Sequence, residues 1–213
     1  DWGKALYESK EFIAGDNKYK AATELSPSKW WIYDCWAESL FKYYRFEKLK
    51  EIEEKALKLN PPDKQFYENT SFRIISSSQD YQDYLFEIAP YLAKNKIQIA
   101  DHYMRVGKRL LDNRDFYKAI EILNESLIND DNNSEVYSFL AQCYYYTMRD
   151  ENSLEHFNKS HELDNKNDIK MLDKVHFKIW KNLLKRMGNE TKLNEYSKHD
   201  SAREIDSSLS KHL

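Results

Sequence analysis

The residues best equipped for chemistry in this 213-residue chain are its histidines, its two cysteines and its adjacent carboxylates, and their spacing argues against a reaction centre. His156 and His161 are five apart, which turns them to different sides of a helix and denies them the i, i+4 arrangement that grips a metal. Both are expected on a solvated helix face. Glu53 with Glu54, and Asp130 with Asp131, are neighbours in sequence, so nothing sets them across a cleft at the separation acid–base hydrolysis needs. Their expected role is to keep a surface soluble. Cys35 and Cys143 form no CxxC pair and no disulfide framework, which points to a reducing, cytoplasmic setting with both thiols packed as small hydrophobes. No GxGxxG, Walker-type GxxxxGKS or GxxxxGKT, GxSxG or HExxH occurs. The expectation is a non-enzyme with no cofactor and no bound metal.

Composition narrows the remaining classes. A formal charge of −3, with both signs interspersed, leaves no basic stripe for nucleic acid. No run approaches the ~18 uninterrupted apolar residues of a membrane-spanning helix. Glycine and proline number four each, which disfavours a loop-rich β fold and suits nearly continuous helix. Five tryptophans, sixteen tyrosines and ten phenylalanines supply ample core.

What must position these side chains is a repeat. Between Ala100 and Asn167 a 34-residue pattern is written twice: Tyr103 falls on Tyr137, Val106 on Leu140, Gly107 on Ala141, Leu110 on Tyr144, Leu123 on Phe157, Ser126 on Ser160, Asp130 on Asp164 and Asn133 on Asn167. Within a copy, Tyr103, Val106, Gly107 and Leu110 share one helix face. Asn113 to Asp115 interrupt the pattern, and Phe116, Ala119, Ile120, Leu123 and Leu127 form a second stripe. Two short antiparallel helices per unit follow, neither able to bury its stripe alone.

The spacing of aromatic, aliphatic, Gly or Ala, and Leu or Tyr, followed by Ala and a bulky residue, resembles the tetratricopeptide repeat, whose signature falls on Tyr103, Val106, Gly107, Leu110, Phe116, Ala119 and Leu123, with Ser126 at its later small position. The resemblance implies an all-α fold, a right-handed α-solenoid of antiparallel helix pairs. Its units are 1–29 (partial), 30–63, 64–99 (degenerate), 100–133, 134–167 and a capping pair over 168–200, with a tail over 201–213. Asp150 and Ser153 depart from the signature, so looser packing is expected in the fifth unit. The third keeps the rhythm only with two extra residues, places Ser76 to Ser78 at its inter-helix turn, and puts Pro90 inside its second helix, where a kink or a shorter helix is expected. Asp168 is expected to cap a helix through Met171, Leu172, Val175, Ile179, Leu183 and Met187, with Gly188 and Asn189 stopping it and a short helix around Leu193 and Tyr196 pairing with it. Trp2, Gly3 and Leu6 match the middle of a first helix, so a longer parent protein with flanking domains is expected.

The resemblance also implies a function. In that family the first helix of each unit lines a concave groove, which here places Trp31, Asp34, Glu38 and Phe41 in the second unit, Met104, Lys108 and Leu111 in the fourth, Ser138, Gln142, Tyr145 and Tyr146 in the fifth, and His176 and Trp180 in the terminal helix. The basic set by which chaperone-binding members clamp a terminal carboxylate is absent. Binding of a protein or peptide partner of apolar or amphipathic helical character is therefore expected, by a non-catalytic scaffold. The degenerate third unit is expected to split the groove into two shorter surfaces. As an alternative, Trp30 to Leu40 (WWIYDCWAESL) resembles repeat units appended to bacterial polysaccharide glycosyltransferases, which implies a repeat domain serving assembly or positioning in a larger enzyme.

Overall fold

In this computed structural model residues 2–79, 81–166 and 174–189 are described, without the side chains of 82, 164–166 and 174–177. The described residues form eleven α-helices and no strand: α1 (Trp2–Glu8), α2 (Phe12–Leu25), α3 (Trp30–Lys42), α4 (Phe46–Lys58), α5 (Lys64–Ser77), α6 (Gln82–Lys94), α7 (Ile99–Asp112), α8 (Phe116–Asn129), α9 (Ser134–Tyr146), α10 (Asp150–Lys166) and α11 (Lys174–Arg186).

The start and stop signals are local. Asp63 and Asn133 cap α5 and α9 with side-chain oxygens that accept from main-chain N–H groups two residues on, at 2.8 and 3.0 Å, satisfying donors the helix itself leaves free. Helix ends recur even more regularly. Lys10, Tyr44, Arg114 and Met148 all take positive φ, between 59° and 64°. In each case the residue's N–H and the next one return to carbonyls three and five positions back, for example Tyr44 to Phe41 and Arg45 to Leu40. This left-handed closure normally recruits glycine. Lys10 and Tyr44 lie one 34-residue period apart, as do Arg114 and Met148, whereas Tyr44 and Arg114 are separated by two residues more than twice the period.

The chain divides into two compact units, Asp1–Lys118 and Ala119–Leu213. In the first, α1 packs on α2 and α3 on α4; the first helices α1, α3, α5 and α7 lie side by side, and α2, α4 and α6 each touch the first helix that follows. Its core gathers Tyr7, Tyr19, Ile32, Trp36, Ala37, Leu40, Leu49 and Ile52. Close approach of α1 and α2 depends on Gly3 and Gly15: a Cβ on Gly15 would stand 2.5 Å from the Tyr7 ring. Asp16 then ties this corner together, accepting from Tyr7 Oη (2.6 Å), Trp36 Nε1 (2.8 Å), Lys48 Nζ (2.9 Å) and Arg45 (3.3 Å). Burial alone would raise its pKa, but the hydrogen bonds from Lys48, Tyr7 and Trp36 outweigh that and hold it low.

In the second unit α9 packs on α10, and α11 rests against both. The core there is Ala141, Phe157, Ile179, Trp180, Leu183 and Leu184. Looser packing does not follow from Ser153: it is fully buried and donates to the Ala141 carbonyl at 2.8 Å, filling the place of an alanine methyl with a satisfied hydroxyl. Pro90 neither ends nor shortens α6, which continues to Lys94 with the same 13 residues as α3 and α4. Gly188 does stop α11, in the left-handed conformation (φ 66°). Asp168, Met171 and Leu172, and the final helix around Leu193 and Tyr196, lie outside the described residues.

Candidate interaction face

The first-helix layer of the unit Asp1–Lys118 brings Trp31, Asp34, Glu38, Phe41, Met104 and Lys108 onto α3 and α7, flanking α5. They differ in availability. Trp31 is 53% exposed, and in the same layer Trp2 of α1 is exposed further, at 68%, with the Lys18 ammonium 4.1 Å from the centre of its ring. Phe41 is half-buried, with its ring 6.1 Å from Phe46 and 5.9 Å from Phe72. Glu38 is exposed and stands 3.9 Å from Lys4 of α1; Lys42 makes the matching pair with Glu8 at the same distance. These four line a shallow depression between α1 and α3 floored by Tyr7, Ser39 and Tyr43. Lys108 is exposed and pairs with Asp112 at 2.9 Å, Met104 is half-buried, and Leu111 is buried. The face is more charged than the groove positions suggest from sequence, because its rings point partly into the layer.

Beneath it runs an ionic group that sequence reasoning placed elsewhere. Glu53, expected at the surface, is fully buried. It accepts from Arg73 Nε at 2.5 Å, while another arm of the same guanidinium donates to Asp34 at 2.7 Å and to Thr70 at 3.3 Å. Burial pushes the Glu53 carboxyl up to about 7, and the Arg73 charge offsets that only in part. Thus Asp34, a groove position, serves as the outer anchor of a buried arginine. A signal existed: Glu53 sits among Leu49, Ile52, Ala56 and Leu57 at helical spacing, inside the apolar stripe of α4. Nearby, His102 is buried with Nε2 2.9 Å from Ser71 Oγ, and burial lowers its pKa to about 4. Arg109 lies with its guanidinium 4.1 Å above the Phe72 ring and donates to Asn69 at 2.7 Å.

In the second unit, Tyr146 is exposed and Tyr145 is half-buried. Arg186 of α11 covers the Tyr145 ring at 4.4 Å while donating to both oxygens of Asp150, one of them at 2.7 Å. Trp180 is buried in the core, and Ser138 and Gln142 are buried as well, so none of these three groove positions offers open surface. The side chain of His176 lies outside the described residues. His156 is half-buried, with its ring 4.9 Å from Tyr144 and 5.9 Å from Tyr137 and its Nδ1 2.8 Å from the Asn152 carbonyl. Cys143 is buried as expected, whereas Cys35 is exposed. Among the described residues no group of His, Cys, Asp or Glu could hold a metal ion, and no helix is long and apolar enough to cross a membrane.

Paired helices of thirteen or fourteen residues, closed by a left-handed residue that returns at a 34-residue spacing, decide the architecture. The chain is built of tetratricopeptide-like helix pairs. No protein-family profile and no curated protein matches it. Solved structures similar to it include PilW, described as a widely conserved type IV pilus biogenesis factor, with 15% identity over 94% of this chain and 90% of that one and a TM-score of 0.48. MamA is 16% identical over 80% of this chain and 98% of its own, with a TM-score of 0.45. YrrB, described as a TPR protein with an unusual peptide-binding site, is 15% identical over 78% and 85% respectively, with a TM-score of 0.41.

Proposed function

We propose that this chain is a non-catalytic scaffold that holds a protein or peptide partner on its first-helix faces, in the reducing setting of the cytoplasm, with flanking domains of a larger chain attached to it. The supporting observation is Trp31, more than half exposed on α3, the helix that also carries the exposed Glu38 and the half-buried Phe41. A rigid ring on a helix buries area on contact with little loss of rotamer freedom, and Lys4, Glu8, Glu38 and Lys42, further along the same layer, offer charges of both signs to fix orientation. An amphipathic partner segment fits this mixture better than a nucleic acid, which would want a basic surface. In the second unit Tyr146 is the corresponding exposed ring.

The test uses rings whose loss leaves the core intact. Affinity capture with the chain, followed by mass spectrometry, is compared between wild type and a Trp31→Ala, Tyr146→Ala double variant of unchanged helicity by circular dichroism. Loss of a specifically retained species supports the reading; its full retention by the double variant rejects it.

A further inference from the structure

Three charges on three helices meet under the first-helix face with unequal shares of solvent. Asp34 of α3 keeps 23% of its side chain exposed, Arg73 of α5 is almost wholly enclosed, and Glu53 of α4 is fully buried. One guanidinium serves both carboxylates: its Nε donates to Glu53 Oε1, and one terminal nitrogen donates to Asp34 Oδ1 and to the Thr70 hydroxyl. The second oxygen of Glu53, Oε2, has no hydrogen-bond partner among the described residues. The carboxylate cut off from water is thus the one that is only half satisfied. Keeping a half-bonded charge out of water is costly, and a carboxyl avoids that cost by holding its proton. From α6 the buried Tyr84 hydroxyl stands near enough to feel the Glu53 charge; burial, and after it that charge, raises its pKa and keeps it neutral. On α7 the Arg109 charge acts on Arg73 and Asp34, with Glu68 and Glu38 acting on Arg109 in turn.

We propose that Asp34, Arg73 and Glu53 form a proton-operated switch set into the first-helix face. While Glu53 holds its proton the triad is neutral, and the arginine's charge belongs to Asp34. When that proton leaves to solvent, two carboxylates divide one guanidinium, and the triad carries a net negative charge with Asp34 as its solvent-facing member. Burial lifts the Glu53 carboxyl to about 7, which puts the change near neutral pH. Asp34 shares α3 with Trp31 and Glu38, so the added charge favours a cationic partner segment above the transition and disfavours an anionic one. The switch operates with or without a partner, and only its bearing on a partner rests on the docking role proposed above.

Carboxyl-carbon NMR titrations of the full chain from about pH 4 to about pH 9, with isotope-labelled aspartate and glutamate, test this on wild type, Asp34→Asn and Glu38→Gln. The Glu53 carboxyl should titrate with a midpoint of about 7, and the Asp34 carboxyl carbon should show a step at the same pH. Asp34→Asn removes the competing carboxylate and leaves the guanidinium to Glu53, so the Glu53 midpoint should fall by about 1 pH unit. Glu38→Gln, which removes an exposed carboxylate that pairs with Lys4, should leave the midpoint in place. A Glu53 carboxyl that titrates at its ordinary 4.5, or that stays protonated throughout the titration, would overturn the proposal. So would an Asp34 carbon without the shared step, or a midpoint equal in Asp34→Asn and wild type. Asp34→Ser replaces Asp34→Asn if the latter does not accumulate as folded protein, with the same fall expected.

Discussion

Replacing Arg73 by methionine isolates the ionic group beneath the first-helix face. Arg73 is nearly buried and is shared by Glu53 at 2.5 Å and Asp34 at 2.7 Å; Glu53 is wholly out of solvent. Methionine keeps the apolar stem and removes the charge, leaving Glu53 with neither counter-ion nor water. Breaking a buried pair from one side costs about 3–5 kcal/mol, because the surviving charge is uncompensated. That cost depends on pH in a definite sense. The Glu53 carboxyl is already lifted from its ordinary 4.5 to about 7 in the fold, so the native state binds its proton more tightly than the unfolded chain and stability falls as pH rises through that interval. Without Arg73 the carboxyl rises further, so the two proteins lose stability in parallel up to about pH 7, and above it, where only the wild-type carboxyl ionises, the variant's deficit grows by about 1.4 kcal/mol per pH unit. Urea denaturation followed by circular dichroism at pH 5 and pH 8 should therefore show a deficit larger at pH 8 by about 1.4 kcal/mol, the increment gained above pH 7. Adding Glu53→Gln should recover most of the loss at pH 8, since it removes the stranded charge. A deficit below about 1 kcal/mol at pH 8, or one equal at both pH values, would refute the argument from burial.

Two further outcomes are expected. Gly15→Ala should cost about 1–3 kcal/mol by thermal denaturation, because the added methyl meets the buried Tyr7 ring at 2.5 Å and the Gly3 carbonyl at 3.2 Å, neither of which is the loose end of a side chain. His102 is held neutral by burial, with its pKa lowered from 6.5 to about 4, so it contributes stability above pH 6.5 that is lost as pH falls toward 4. The difference between wild type and His102→Gln in urea titrations should narrow by about 3 kcal/mol over that range.

The helices and their ends were largely legible in the sequence because both rest on local rules. Apolar residues at helical spacing place α3, α4, α7 and α8, and Ser76 to Ser78 mark the end of α5. Pro90 misled in one direction only: proline removes one hydrogen bond, yet the surrounding stripe of Leu85, Ile88 and Leu92, all buried, keeps α6 running through it. The face was harder to read. Position within a repeat states which way a residue points but not what stands above it, so Trp180 passed for a groove ring although α9 and α10 enclose it. Glu53 was missed for a related reason: its partner Arg73 is twenty residues away on another helix, and only the apolar company of Glu53 hinted that it faced inward.

Asp16 carries a consequence for how the molecule comes apart. Repeat arrays behave approximately as a row of weakly coupled elements, in which one helix pair can ordinarily open without its neighbour. Here a single carboxylate on α2 is held at once by α1, α3 and α4, through Tyr7, Trp36 and Lys48. The first two helix pairs share one hub, so neither can melt without stranding a buried charge. These four helices should open as one block instead of as two separate pairs.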